Sequence, residues 1–251
     1  MVMSVNEKMT AIADAIREKT GSTEALTLDD MASAVPEVFN AGKEAEHDEF
    51  WDAAIADSTS GVYRFAGTSW NDVTFRPNKD IILSGSCIGC FYASQITDIV
   101  TQLGGHKLIL NGVTSGGTMF SNSKVTHIPV LDLSDCTTIS NLCSWCSDLV
   151  TIDGITFPTS STATVTNAFQ GCTALTDITV NGEIVISGLD FKQSKNLSVK
   201  SLRSILEALS LDVSGKSITL STSHQAKIEA DAECTTYASK ATNAGWTIAY
   251  N

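Results

Sequence analysis

A chain of 251 residues with 43% hydrophobic and 18% charged residues can bury a core, and its net charge of −12 argues against nucleic acid or anionic membrane as partner, since both are held by clustered Lys and Arg. Residues 1–60 carry thirteen Asp and Glu against four Lys and Arg, so an acidic leading segment precedes a nearly neutral body rich in Ser and Thr. No stretch approaches the roughly 18 apolar residues of a membrane span, so no membrane insertion is expected.

The start, MVMSVNEKMTAIADAI, has no basic patch followed by an apolar run; the expectation is synthesis in the bacterial cytoplasm without a signal peptide. Seven cysteines are an odd count, which together with that start argues against a disulfide framework. Met9, Ile12, Ala13 and Ile16 lie on one face of a short helix that Gly21 ends. Thr27 can cap a second helix with Asp29 and Asp30 in its first turn, interrupted by Pro36. The third stretch, residues 37–56, has a thin apolar face of Val38, Ala41 and Ala45 amid dense charge. It reads either as a solvated connecting helix or as one strand of a parallel oligomeric stem, such as that of a homotrimer. Tyr63, Phe65, Trp70 and Phe75 then stand among turn formers, a junction packed by aromatics or a ligand-stacking platform.

A different spacing begins after residue 80. In NAFQGCTALTDITV the apolar residues Phe169, Cys172, Leu175 and Ile178 are three apart, and Val180 follows at two. Neither an amphipathic helix nor a strand has that period; a tight curved segment running into a very short strand does, with all five residues facing inward. Leu175 and Ile178 have counterparts in Ile96 and Ile99, Val125 and Ile128, and Leu149 and Ile152, at intervals of 29, 24 and 26 residues. Cys143 and Cys146 stand where Phe169 and Cys172 stand, and Cys87 and Cys90 align with them. Leu108 and Leu110, Leu131 and Leu133, and Ile155 and Phe157 alternate as short parallel strands. Beyond the repeats, Ser198 caps a helix with Leu202, Ile205, Leu206 and Leu209 on one face. A strand with Ile218 and Leu220 follows, then a helix over Ala230, Cys234, Tyr237, Ala238 and Ala241, and a closing strand with Trp246, Ile248 and Tyr250.

The expected fold is therefore an α/β repeat. It is an irregular leucine-rich-type solenoid (81–196) with short parallel strands, preceded by an acidic helical segment (1–57) and an aromatic junction (58–80) and closed by an α/β C-terminal cap (197–251). The structural repeat core comprises Cys90, Ile96, Ile99, Val125, Ile128, Cys143, Cys146, Leu149, Ile152, Phe169, Cys172, Leu175 and Ile178.

Two Cys-x-x-Cys pairs, Cys87/Cys90 and Cys143/Cys146, have the inner spacing of a structural zinc site, but about fifty residues separate them. The repeat alignment offers a competing account, because Phe169 stands in one supposed ligand slot and free cysteine behaves as a small buried hydrophobe. The expectation is no metal and no cofactor. His47, His106, His127 and His224 share no ligand spacing, and His127 occupies the solvent-facing slot of Asp98 and Asp177. No G-x-S-x-G elbow and no phosphate-binding glycine loop is present, and Asp132 and Asp135 read as loop residues. No catalytic residue can be named.

NAFQGCTALTDI and LCSWCSDLVTI resemble the AF-x-x-C-x-x-L-x-x-I units of BspA-like leucine-rich repeats. The run IADAIREKTGSTEALTLDDMASAV, the FWDA at Phe50 to Ala53, the stretch YRFAGTSWNDVTFRPNKDI and the ending LSVKSLRSILEALS with NAGWTIAY are similar to tail-associated proteins encoded by phages and prophages of gut Firmicutes. FRPNKD departs from the FxPKY-like run of such proteins. The resemblance implies a virion tail protein whose N-terminal part attaches to other phage tail proteins and whose repeats recognise a bacterial surface receptor, protein or glycan. Trp145 and Asn167 are candidate contact residues on the turns. The alternatives are a bacterial surface adhesin binding host matrix or glycan, and a glycan depolymerase, for which no convergent carboxylates are identifiable.

Overall fold

A computed structural model describes residues 65–68, 77 and 79–251, all within the second of two units, Ala54–Asn251. The helices expected before residue 57, the two readings of residues 37–56, and Tyr63, Trp70 and Phe75 lie outside the described residues.

The described chain is α/β, with short parallel strands, few helices and no closed barrel among the described residues. Strand β1, Ile81–Ser86, pairs in parallel with β2, Leu108–Ser115, and the four-residue helix α1, Ile99–Gln102, comes between them in the chain. β3, His127–Ile128, and β4, Leu131–Asp132, both pair with β5, Thr151–Thr156, which pairs in turn with β6, Asp177–Val180. Pro129 separates β3 from β4 because it has no N–H to contribute to a ladder. The register stacks Ile128 on Ile152 on Ile178, all buried. Val180, which the spacing places inward, is only half-buried. It closes the last strand of this sheet, and its N–H goes to the hydroxyl of Ser204 at 2.8 Å instead of to a further strand.

Between the strands the chain bends through four similar tiers, 87–94, 116–123, 139–146 and 165–172. Each tier contains three overlapping turns; in the first, Cys90 N–H donates to Cys87 O, Tyr92 to Gly89 and Ser94 to Phe91. The other N–H groups point to the next tier: those of Cys87, Gly89, Phe91 and Ala93 donate to the carbonyls of Ser115, Gly117, Met119 and Ser121. The same pattern recurs from the second tier to the third and from the third to the fourth, so alternate backbone donors are used within and between tiers and none of these is left unpaired. Each tier needs two left-handed residues four apart: Gly89 and Ala93, Thr118 and Asn122, Asn141 and Trp145, Asn167 and Gly171. Gly and Asn take up that conformation with little strain, whereas Ala93, Thr118 and Trp145 each cost about 1–2 kcal/mol.

These hydrogen bonds correct one feature of the alignment. Phe91, Phe120, Cys143 and Phe169 form one column, and Ser94, Ser123, Cys146 and Cys172 form the column three residues on. Cys87 belongs instead with Gly116, Ile139 and Val165. The spacing misplaces the first tier by four residues because inward slots recur every three or four positions, and Cys87, Cys90 and Phe91 are all buried. The phenylalanine column reaches beyond the tiers. Phe65 stacks on Phe91 with ring centroids 5.2 Å apart, Phe91 on Phe120 at 5.1 Å, and Phe169 on Phe191 at 4.8 Å. Such contacts add about 0.5–1.5 kcal/mol per pair to the burial of the rings, and Cys143 is the gap in the column.

The C-terminal part is a parallel sheet ordered β7 (Leu189–Asp190), β8 (Ser217–Leu220), β9 (Thr247–Tyr250). Helix α2, Val199–Ala208, joins the first two strands and buries Leu202, Ile205 and Leu206; Ser198 caps it by accepting from Ser201 N–H at 3.2 Å. Two helices lie between β8 and β9, α3, Thr222–Glu229, and α4, Ala232–Asn243, where the spacing suggests one over Ala230 to Ala241. The break falls at Asp231, whose carboxylate accepts from Cys234 N–H at 2.9 Å to cap α4 and is held by Arg203, with Nε to Oδ1 at 3.0 Å. That guanidinium keeps the Asp231 carboxyl well below the usual carboxylate range. Helix α3 buries only His224 and Ile228, which leaves no apolar stripe to read.

Candidate functional site

All thirteen residues assigned to the repeat core are buried: Cys90, Ile96, Ile99, Val125, Ile128, Cys143, Cys146, Leu149, Ile152, Phe169, Cys172, Leu175 and Ile178. The tiers explain what the thiols do. Cys146 Sγ donates to Phe120 O at 2.9 Å and Cys172 Sγ to Cys143 O at 3.0 Å, each reaching back to the tier before its own. Cys136 Sγ donates to Val113 O at 3.0 Å. Burial pushes the Cys143 and Cys172 thiols up, reinforced by the neighbouring cysteines, and pushes Cys136 up to about 12. Cys136, Cys143 and Cys172 are thereby held in the thiol form, which is neither nucleophile nor metal ligand, whereas the hydrogen bond from Cys143 lowers the buried Cys146 thiol against its desolvation.

Cys87 and Cys90 stand on the first tier and Cys143 and Cys146 on the third, with the second hydrogen-bonded between them. Two steps of strand-like spacing amount to roughly 9–10 Å, while two sulfurs on one zinc ion lie within about 4.6 Å of each other. The two pairs therefore cannot converge on one ion. Among the described residues no group of three or more His, Cys, Asp or Glu side chains is arranged to hold a metal.

Outside the core, the structure places Trp145 on the third tier and Asn167 on the fourth. Trp145 is 57% exposed although its backbone is left-handed, with φ 63°. Its N–H donates to Gln170 O at 2.6 Å, which fixes the residue on the fourth tier. Its indole lies over Gly171, where an added Cβ would stand 2.9 Å from Trp145 Cε3 and 3.1 Å from Trp145 Cα. Gly171 N–H in turn donates to the side-chain oxygen of Gln193 at 2.7 Å. Asn167, exposed and left-handed with φ 57°, lies where two recesses meet. One is a small notch lined by Asn167, Gln170, Asp190, Lys192 and Gln193 over the edge of Phe169. The other is a shallow groove of about 370 Å³ floored by Thr164, Val165, Thr166, Ser187 and Gly188. Asp190 lines both, and its carboxylate is paired with Lys192 Nζ at 3.0 Å.

Sequence reasoning does not single out Gly171, Gln170, Asp190, Lys192 or Gln193. The repeat alignment does carry a signal for Gly171, because it sets Gly171 opposite Trp145 on adjacent tiers, and a glycine facing a tryptophan marks a close approach.

A second polar cluster lies on the outer face of the β3–β5–β6 sheet. His127 bridges three successive segments, with Nδ1 3.4 Å from Asp98 Oδ1 and Nε2 2.8 Å from Asp153 Oδ1. Asp98 also caps α1, accepting from Thr101 N–H at 3.0 Å and from its hydroxyl at 2.7 Å. Burial opposes ionisation of Asp98, but the Thr101 bonds and the His127 ring outweigh it and hold the carboxyl below its ordinary value. Each carboxylate is already committed to a partner, which is the arrangement of a structural clasp. Asp132 is likewise occupied, accepting from Ser134 N–H at 3.1 Å.

No family model matches the chain, and no curated protein or solved structure matches it. Among the described residues no helix is long and apolar enough to cross a membrane.

Proposed function

We propose that this chain is a non-enzymatic recognition protein of a phage tail. In this reading residues 81–196 are a leucine-rich-type solenoid that presents polar side chains and Trp145 to a receptor on the bacterial surface, and residues 1–57 attach the chain to other tail proteins as a homotrimer. The repeat reading draws support from the four hydrogen-bonded tiers, the stacked Ile128, Ile152 and Ile178, and the resemblance to BspA-like units.

The observation that carries the recognition reading is Trp145. A large aromatic side chain held 57% exposed on a left-handed backbone costs stability twice, once in strain and once in unburied apolar surface. Nothing in the packing of the tiers requires that arrangement, because Asn122 occupies the same slot one tier earlier with φ 58°. Binding residues gather on turns held by a rigid scaffold, and three copies would multiply weak contacts by avidity.

The test is immunogold labelling of intact virions together with binding of purified full-length protein to host cells. Label on tails and saturable cell binding without loss of cell-surface polysaccharide are expected. Unlabelled virions would remove the tail assignment, and release of soluble sugar during incubation would replace recognition with hydrolysis. Light scattering is expected to return the mass of three chains; a single-chain mass at every concentration would remove the trimer.

A further inference from the structure

We propose that the edge carrying Trp145 and Asn167 is a carbohydrate subsite that takes an uncharged hexopyranose unit, with the indole as its stacking platform. The inference rests on the recognition reading above and names the ligand class for it.

Three features of the edge select this chemistry. The indole is backed by Gly171, where a Cβ would come within 2.9 Å of Cε3, so it lies against the backbone and offers its other face to solvent. A flat exposed ring of this kind packs against the apolar C–H face of a pyranose, for which a side chain with few rotatable bonds is ordered at small entropic cost. A polar recess lies on the tier that the indole covers. Trp145 N–H is bonded to Gln170 O and Gly171 N–H to the Gln193 amide oxygen, and both glutamines line the notch with Asn167. Beyond Asn167 the groove presents Thr164, Thr166 and Ser187. Amides and hydroxyls both donate and accept, as the hydroxyls of a sugar require.

The third feature is charge. The recess holds one carboxylate and one ammonium, Asp190 and Lys192, paired at 3.0 Å. They cancel, leaving no net charge to attract a sialylated, sulfated or phosphorylated ligand. A single-stranded nucleic acid would also stack on an aromatic ring, but it needs a cationic track along its backbone, and the Lys192 ammonium is committed to Asp190. An apolar peptide anchor needs a deep hydrophobic pocket beside the ring, whereas the groove here is shallow and sets hydroxyls and an amide among its apolar groups.

Trp145→Asn is the informative variant. It removes the ring but keeps a residue that the same slot accepts one tier earlier, where Asn122 has φ 58°. The full-length protein and this variant are applied to an array carrying neutral hexose oligosaccharides, sialylated and sulfated glycans, and random peptides, with circular dichroism confirming that both are folded. Binding to neutral oligosaccharides is expected, falling at least about tenfold in Trp145→Asn, the loss typical of a central aromatic contact. Binding confined to charged glycans or to peptides, no binding to any neutral glycan, or equal binding by the variant each overturns the subsite.

The same two proteins on whole cells separate this inference from the one beneath it. Cell binding that survives Trp145→Asn leaves the recognition reading standing and removes the subsite. Array binding that depends on Trp145, by a protein that labels no host cell, does the reverse.

Discussion

Gly171 lies directly beneath the indole of Trp145, so close that a Cβ on Gly171 would stand 2.9 Å from Trp145 Cε3 and 3.1 Å from Trp145 Cα. Gly171 is also left-handed, with φ 78°. Gly171→Ala is expected to cost about 1–3 kcal/mol in denaturant unfolding, from backbone strain together with the clash. In a Trp145→Asn background the clash with the ring is gone, but the crowding against the backbone of residue 145 and the positive φ remain, so only part of the loss should be recovered. An unchanged midpoint for Gly171→Ala alone would show that the two residues do not approach as described.

His224 links stability to pH. It is fully buried, its Nδ1 accepts from Ser221 N–H at 3.1 Å, and its Nε2–H therefore donates to Ser194 O at 2.9 Å. Only the neutral ring can do both. Burial lowers its pKa below 6.5, and the Lys227 charge acts in the same direction against the pull of the Ser194 carbonyl. The unfolded chain thus binds the proton more readily than the folded one. This contribution is complete above about pH 6.5 and is lost as pH falls through the folded pKa. His224→Gln keeps a capping-box acceptor at this third helical position but cannot titrate. Its unfolding midpoint is expected to vary less between pH 7 and 5 than that of the parent, and parallel curves would refute the assignment.

All seven cysteines are buried. A thiol reagent at mildly alkaline pH is expected to modify none of them in the native protein and all seven once the chain is unfolded, with zinc sub-stoichiometric in metal analysis. Cys172→Ser should be tolerated within about 1 kcal/mol, because a hydroxyl can still donate to Cys143 O and serine already fills this column at Ser94 and Ser123. Rapid labelling of native thiols would contradict the reading of this column as packed core.

Ser194 is fully buried, and its hydroxyl has no hydrogen-bond partner. An unsatisfied buried hydroxyl costs about 1–3 kcal/mol. Ser194→Ala is therefore expected to raise the unfolding midpoint while leaving the bond from His224 to the Ser194 main-chain carbonyl intact. A lowered midpoint would mean that the hydroxyl has a partner after all.

Much of the repeating part is legible in the amino-acid sequence because its signal is local. Residues three apart, such as Phe169, Cys172 and Leu175, can be aligned by eye with Cys143, Cys146 and Leu149, and all six are buried. The first tier cannot be placed that way. Phe91 to Ile96 spans one residue fewer than Phe169 to Leu175, and Ser94 stands where the third and fourth tiers carry a cysteine. Short helices also escape. α1 has four residues, and its one signal is Asp98 at the N-cap. α3 announces itself only through the Ser221 and His224 capping box.

Val180 apart, the sequence by itself determines which repeat side chains face inward, because burial of apolar surface needs only a periodic pattern along one chain. It also determines the polar, acidic character that argues against nucleic acid and anionic membrane. The tertiary structure alone decides what the remaining residues meet. It puts Asp98 and Asp153 on either side of His127, sets Gly171 under Trp145, and brings Gln170 and Gln193 to one notch, across separations of 23 to 29 residues. Those meetings follow from register between tiers, where one inserted or deleted residue in a bend moves every later partner, and no local spacing encodes that sum.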